Sequence, residues 1–307
     1  MEPIILMRAW QVSRFHSEYA DKMSVFSRLK YLAKATKYYK GSICLFDNEN
    51  AFIQECLQKR PEYYQIITAP YINSTWNLNE RVNRLVNHLS ALQQKNWNFD
   101  FEYNYDILIL DLSVVNISGY RIILDKPIWF HREGVLALNI FKDDIRIYTL
   151  SFSIEKNDNE LAILVGGIQG RNIDNILDEY RILTKLLYGI RPRDFIIELL
   201  RIFGNVIGVS HIAAISDECR HQRHPYFGKN TTRPLPANYN EIWTDRGGVR
   251  ESYSTYALPM NSVRDIDAVA AKKRSMYKKR YELLRQIEHE IIFNFSNLVP
   301  KPALEAK

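Results

Sequence analysis

The 307 residues suffice for one large domain or two small ones, and 46% of them are hydrophobic, which excludes wholesale disorder. The formal charge of +6 is local: Ala271–Arg285 holds seven basic residues against the single acid Glu282, so the rest of the chain is formally neutral. Three widely spaced cysteines, Cys44, Cys56 and Cys219, exclude a disulfide framework and fit a reducing compartment.

No window approaches the roughly 18 apolar residues of a spanning helix. The opening run Ile4–Met7, preceded by Glu2, is too short for a signal-peptide core. The expectation is a cytoplasmic chain, or one attached peripherally to the inner face of a membrane. Residues 1–100 read as a helical N-terminal region. Phe15–Tyr39 has apolar residues at a spacing of three to four, and Ala51–Leu57 is a short amphipathic segment stopped near Pro61. Asn79–Gln94 repeats the pattern behind a cap at Asn77 or Asn79.

The pattern changes near Phe101, and 101–300 reads as an α+β core. Val135–Phe141, Ile145–Ile154 and Leu161–Ile168 are β-rich and are separated by the turns Lys142–Asp144 and Lys156–Asn159, which predicts an antiparallel meander. Leu161–Ile168 is apolar on both faces and belongs in the sheet centre. Helices follow at Ile173–Leu187, capped by Asn172, and at Arg193–Ile207, with Pro192 in the first turn. Ser210–Ile215 is a buried strand, 217–250 a polar loop region and Ser252–Leu258 another strand. A basic helix, about Val269–Phe295, closes the chain.

Six features carry candidate chemistry. Gly166-Gly167-Ile168-Gln169-Gly170-Arg171 reads as a strand end opening onto a helix, where Gly167, Gln169, Gly170 and Arg171 would present backbone amides and a charge to an anion, or simply pack. Arg191 and Arg193 flank Pro192 at a helix start, a pair suited to clamping phosphate or carboxylate or to forming a solvated turn. After a strand come Glu218, Cys219, His221 and His224. Their spacing matches no closed zinc site, and Arg220 and Arg223 oppose a cation, so no metal is assigned. His221 or Glu218 is the general-base candidate of that segment. Tyr239, Trp243 and Arg246 line a groove or pack on the core. Lys272, Lys273, Arg274, Lys278, Lys279 and Arg280 form a basic surface for anionic phospholipid or an acidic partner; no nucleic-acid motif accompanies them. His131 with Glu133 is the weakest pair, with a hydrogen-bonded structural histidine as its plain reading.

Several segments together resemble the VirK/YbjX family of Gram-negative bacteria: Phe130–Gly134, Tyr148–Phe152, Gly166–Arg171, Thr184, Gly189–Arg193, Ile215–Asp217, Tyr239–Trp243, Leu258-Pro259 and Lys272–Tyr281, spread over roughly 60–290. The resemblance implies a role in virulence, envelope integrity and resistance to antimicrobial peptides, and supplies no catalytic residue. The order meander, glycine turn, helix also resembles Gcn5-related acyltransferases, whose turn holds the pyrophosphate of acyl-CoA. The later glycines of that turn are absent here, and an extra helix precedes Ser210–Ile215. Two expectations follow. One is an acyl-CoA-dependent enzyme acting on an envelope precursor. The other is a membrane-associated adaptor docking through the basic helix.

Overall fold

The computed structural model describes residues 48–95, 106–158, 160–261 and 266–298, with isolated positions before 48. The helix expected over Phe15–Tyr39 lies, those positions apart, outside the described residues. The fold class is α+β. Among the described residues, one eight-stranded mixed sheet has the order β1-β2-β3-β4-β5-β6-β8-β7. The strands are β1 (Ile107–Asp111), β2 (Tyr120–Asp125), β3 (Leu136–Lys142), β4 (Ile145–Asn157), β5 (Glu160–Gly170), β6 (Val209–Ile215), β7 (Val249–Arg250) and β8 (Thr255–Leu258). Every neighbouring pair is antiparallel except β5 with β6. The expected meander is β3–β4–β5, and β5 lies mid-sheet, as its two-sided apolar pattern requires.

Helices cover both faces. On one, α4 (Pro192–Val206) lies across the strands and α6 (Ala271–Leu298) packs on α4 and β1. Phe152 of β4 points at Phe203 of α4, which meets Phe295 of α6 edge-on. Pro192 opens α4 at its first turn, where no amide partner is lost. On the other face, α1 (Ala51–Lys59) packs on α2 (Leu78–Gln94), and α2 packs on β4. Asn77 caps α2 in a reciprocal box with Glu80. This second face of β4 is polar yet buried, with Thr149, Ser151, Ser153 and Glu155 in succession. Ser153 bonds the Tyr71 hydroxyl at 2.7 Å, and Glu155 pairs with Arg84 of α2. Apolar residues from α1, α2 and the sheet belong to one continuous core.

Helix α3 (Ile176–Leu186) and the short α5 (Tyr239–Asp245) complete the described elements. α5 corrects the loop reading of 217–250. Asn238 caps it, accepting from the Asn240 and Glu241 amides, and Trp243 inserts fully buried with its indole N–H on the Ile215 carbonyl at 2.8 Å. The start of α3 is a second correction: Asn175, with φ 61°, precedes the helix, and Asn172 does not cap it.

Candidate functional site

The paired glycines do not end their strand. β5 continues through them to Gly170, and α3 opens only at Ile176. Across from β4, Ser151 pairs with Gly167 while Phe152 pairs with Val165, so Gly166 is the extra residue of a β-bulge. A Cβ at Gly166 would collide with the Glu133 backbone carbonyl, and one at Gly167 with the Glu133 carboxyl. The glycines are there because Glu133 occupies the space their side chains would need. The strand does not end at Gly166–Gly167 and no helix opens just after them, so the strand-end, helix-start arrangement expected there is not formed at this position.

The same stretch forms a fork. Parallel pairing of β5 with β6 runs from Leu161–Val209 to Val165–Ala214 and stops, though β5 continues to Gly170. Beyond that point the β5 edge has no strand partner. Tyr239 of α5 fills the gap: its hydroxyl accepts from the Ile168 amide at 2.9 Å and donates to the Ile168 carbonyl at 3.2 Å. Strand alternation turns the Gly170 amide toward the same side as that of Ile168. Tyr239→Phe leaves both Ile168 groups unsatisfied, and is expected to lower unfolding free energy by about 1–3 kcal/mol in urea titrations.

Glu133 lies beside the fork, 8% exposed. Burial raises its carboxyl to about 7, against the pull of Arg220 and a 2.9 Å hydrogen bond donated by Gln222. A carboxyl titrating there can take or give a proton under ordinary conditions. Arg220 stacks 3.7 Å above the centre of the Tyr239 ring and donates to the Ala237 carbonyl at 2.7 Å. Asp217 holds this corner together. Despite its partial burial, hydrogen bonds from Arg223, the Tyr239 amide and Arg220 keep its carboxyl below the usual range.

The two residues first considered as bases have other roles. His221 packs edge-on against Phe227, and its Nδ1 is buried without a partner. Burial, with Arg132 and Arg220 nearby, lowers it to about 3, so its ring is neutral. Glu218 receives hydrogen bonds from Asn240 at 3.0 Å and Arg250 at 3.3 Å. These hold it below the ordinary glutamate value in spite of partial burial. Cys219 is a buried free thiol, and His224 Nδ1 accepts from the Tyr226 amide at 3.0 Å. His131 bonds Gln65 at 2.9 Å.

The phosphate candidates meet elsewhere. Gln169 and Gly170 form the exposed end of β5 with exposed Arg171 just beyond it, and the Gly170 backbone abuts Tyr148 and Tyr180. Those tyrosines, Arg181, Lys185, Arg191 and Arg193 line a cleft of about 580 Å³ between α3 and the start of α4. Arg193 pairs with Asp194 at 3.1 Å and Asp245 at 3.2 Å. Arg191 has no hydrogen bond or ion pair with another described side chain. The cleft and fork adjoin: Tyr148 lies within electrostatic range of Tyr180, Arg193 and Tyr239.

A family model described as protein of unknown function (DUF535) matches residues 21–292. YbjX of Escherichia coli K12, an uncharacterized protein, is 24% identical over 245 residues, covering 78% of this chain and 74% of its own. The chain belongs to the VirK/YbjX family. An uncharacterized protein of Haemophilus influenzae is 29% identical over 288 residues, covering 87% of this chain and 90% of its own, and a second from that organism is 22% identical over 260 residues. No solved structure matches. In this VirK/YbjX member the residues that sequence reasoning underweighted are Glu133 and Tyr239. Glu133 was visible only as a neighbour of His131. The signal for Tyr239 was the cap-like pair Asn238 and Glu241, three apart.

Proposed function

We propose that the chain is an acyltransferase of the Gcn5-related kind, with an envelope component or its precursor as acceptor. The observation that carries this reading is the fork: an unpaired β5 edge at a bulge, beside a carboxyl that titrates near neutrality. The pantetheine arm of acyl-CoA is extended and carries amides, so it can add to a strand edge as another strand does. Displacing the Tyr239 hydroxyl from Ile168 would supply one donor and one acceptor for it. Arg191, Arg193 and Arg171, around the adjoining cleft, suit the donor's phosphates. Glu133 takes the proton of the acceptor amine or hydroxyl as the acceptor's lone pair attacks the thioester carbonyl; the carbon–sulfur bond then breaks, and the leaving thiolate takes that proton back from Glu133, which restores the base. The meander, the glycine bulge and the single parallel pair support the likeness. Glu133 replaces His221 and Glu218 as base in this scheme.

Thermal denaturation with acetyl-CoA and palmitoyl-CoA tests it. At a hundredfold excess over Kd, a bound donor stabilises the fold by about 2.7 kcal/mol. Arg191→Ala is expected to weaken that binding about tenfold, the order of one charge-assisted hydrogen bond. If neither thioester shifts the transition at millimolar concentration, the reading is wrong.

A further inference from the structure

The basic residues of α6 do not form one surface. Arg274 turns back to the Val269 and Asp267 carbonyls, both at 3.0 Å, and Arg280 donates to the Tyr188 carbonyl at 2.9 Å, closing the turn after α3. Lys272 and Lys273 are exposed in the first turn of α6. Lys278 and Lys279 face a separate groove of about 890 Å³ between α3 and α6. Its apolar lining comes from Val115, Ile117, Leu186 and Leu283, and Lys185 and Arg285 join the two lysines among its basic lining. Lys185 also lines the cleft on the other side of α3, so this helix is a ridge between two basic hollows.

The groove-side flank of that ridge is apolar: Ile182 is 50% exposed and Leu186 38%, and Val114, beside the groove, is 56% exposed. Asp178, Arg181 and Lys185 hold the outward crest, and Leu177 lies on the opposite flank, toward the cleft. Exposed apolar residues rimmed by cations are what a surface needs to enter an anionic bilayer interface. Two nearby acids are paired within the protein, Asp178 with Arg181 and Glu282 with Arg285, and Glu179 of α3 accepts from the Tyr120 hydroxyl. Lys185, Lys278 and Lys279 have no ion pair among the described residues. A water-facing helix would place its apolar residues inward, and α3 does so with Ile176 and Leu183 alone, both buried.

We infer that the face formed by α3 and the α3–α6 groove docks on a bilayer rich in anionic phospholipid. Val114, Ile182 and Leu186 enter the interface, and Lys185, Lys278 and Lys279 meet the phosphates. The cleft opens on the other side of α3, and binding to lipid through this face is independent of any acyl transfer.

Co-sedimentation with phosphatidylcholine vesicles, with and without 30 mol% phosphatidylglycerol (about one lipid in three, a strongly anionic surface), tests it. The wild-type chain is expected to pellet with the anionic vesicles only, and to be released at high salt. Lys278→Gln with Lys279→Gln lowers partition about thirtyfold, from about fivefold per lysine near the surface. Ile182→Ser with Leu186→Ser lowers it more than about tenfold through lost apolar burial. Lys59→Gln with Lys95→Gln, an equal charge loss on the α1–α2 layer, leaves it unchanged. All six substitutions are at or near the surface, so unchanged melting curves verify folding. Indifference of the wild type to phosphatidylglycerol, or variants that pellet like it, would overturn the proposal. So would a lipid-free dimer, in sedimentation velocity, abolished by Ile182→Ser with Leu186→Ser, which would assign the face to a second copy.

Discussion

Valine at Gly166 is expected to destabilise the protein by more than about 4 kcal/mol, while alanine at Gly167 costs about 1–3 kcal/mol that truncating Glu133 restores. The two glycines are adjacent in one bulge, but what their Cβ atoms would meet differs. At Gly166 the nearest atoms are the Glu133 carbonyl oxygen and carbon, then Ile72. That backbone is fixed on both sides: the Glu133 amide donates to the Phe130 carbonyl at 2.8 Å, and the Arg132 carbonyl accepts from the Ile72 amide at 2.7 Å. It cannot retreat. At Gly167 the two nearest atoms belong to the Glu133 carboxyl, which can swing away at the cost of its bond to Gln222, and the third is the Glu133 Cβ at 2.9 Å, which alanine at 133 retains. In a double-mutant cycle, Gly167→Ala with Glu133→Ala should therefore show a coupling of about 1–2 kcal/mol, and Gly166→Val with Glu133→Ala almost none. Urea unfolding of the wild type and the five variants measures this. Equal coupling at both positions would mean that Glu133 is not what the bulge accommodates.

That difference explains what the sequence could and could not convey. Local signals were read well. Asp143 and Asp158 stand at φ 50° and 52° in the turns expected there, Asn77 caps α2, and Pro192 opens α4. Each depends on residues within a few positions, where turn and cap chemistry acts. β1 and β2 were not singled out. Ile-Leu-Ile-Leu at 107–110 and Ile-Ile-Leu at 122–124 lack alternation, and a short apolar run reads as strand or buried helix alike. Gly166 and Gly167 read as punctuation because glycine usually is. Whether a glycine pair ends a strand or bulges within it depends on what approaches it, and Glu133 arrives from a different part of the chain. The basic run behaved similarly. Helical spacing can cluster six cations on one side, but it cannot show that Arg274 and Arg280 bend back to carbonyls. The exposure of Ile182 and Leu186 on α3 was not legible either, because periodicity marks a stripe without saying which side meets the core.

Glu133→Gln should change both the pH dependence of stability and, on the acyl-transfer reading, the rate. The folded protein holds the Glu133 proton up to about pH 7, whereas the unfolded chain releases it near 4.5. Its contribution to stability is thus fully present below pH 4.5 and is lost as pH rises through 7. The loss is about 3 kcal/mol, from 1.36 kcal/mol per pKa unit. Two buried imidazoles act in the opposite sense. Burial lowers His88 to about 4 and His221 to about 3, so their contributions are present above pH 6.5 and lost as pH falls toward those values. The wild type should be most stable near the crossing of these trends. Glutamine keeps the shape and a neutral charge, so Glu133→Gln should remove the Glu133 share of the decline between pH 4.5 and 8 and leave the acid limb in place; Asp125 and Glu155, whose carboxyls burial also raises, keep theirs. At pH 8 the variant should be more stable than wild type by about 3 kcal/mol. If Glu133 is the general base, the same variant loses about 10²–10⁴-fold in kcat with a small change in KM. A merely structural carboxyl would give the stability change with no rate loss. An unchanged stability profile would show that the carboxyl is already ionised in its pocket, and would remove Glu133 from the chemistry.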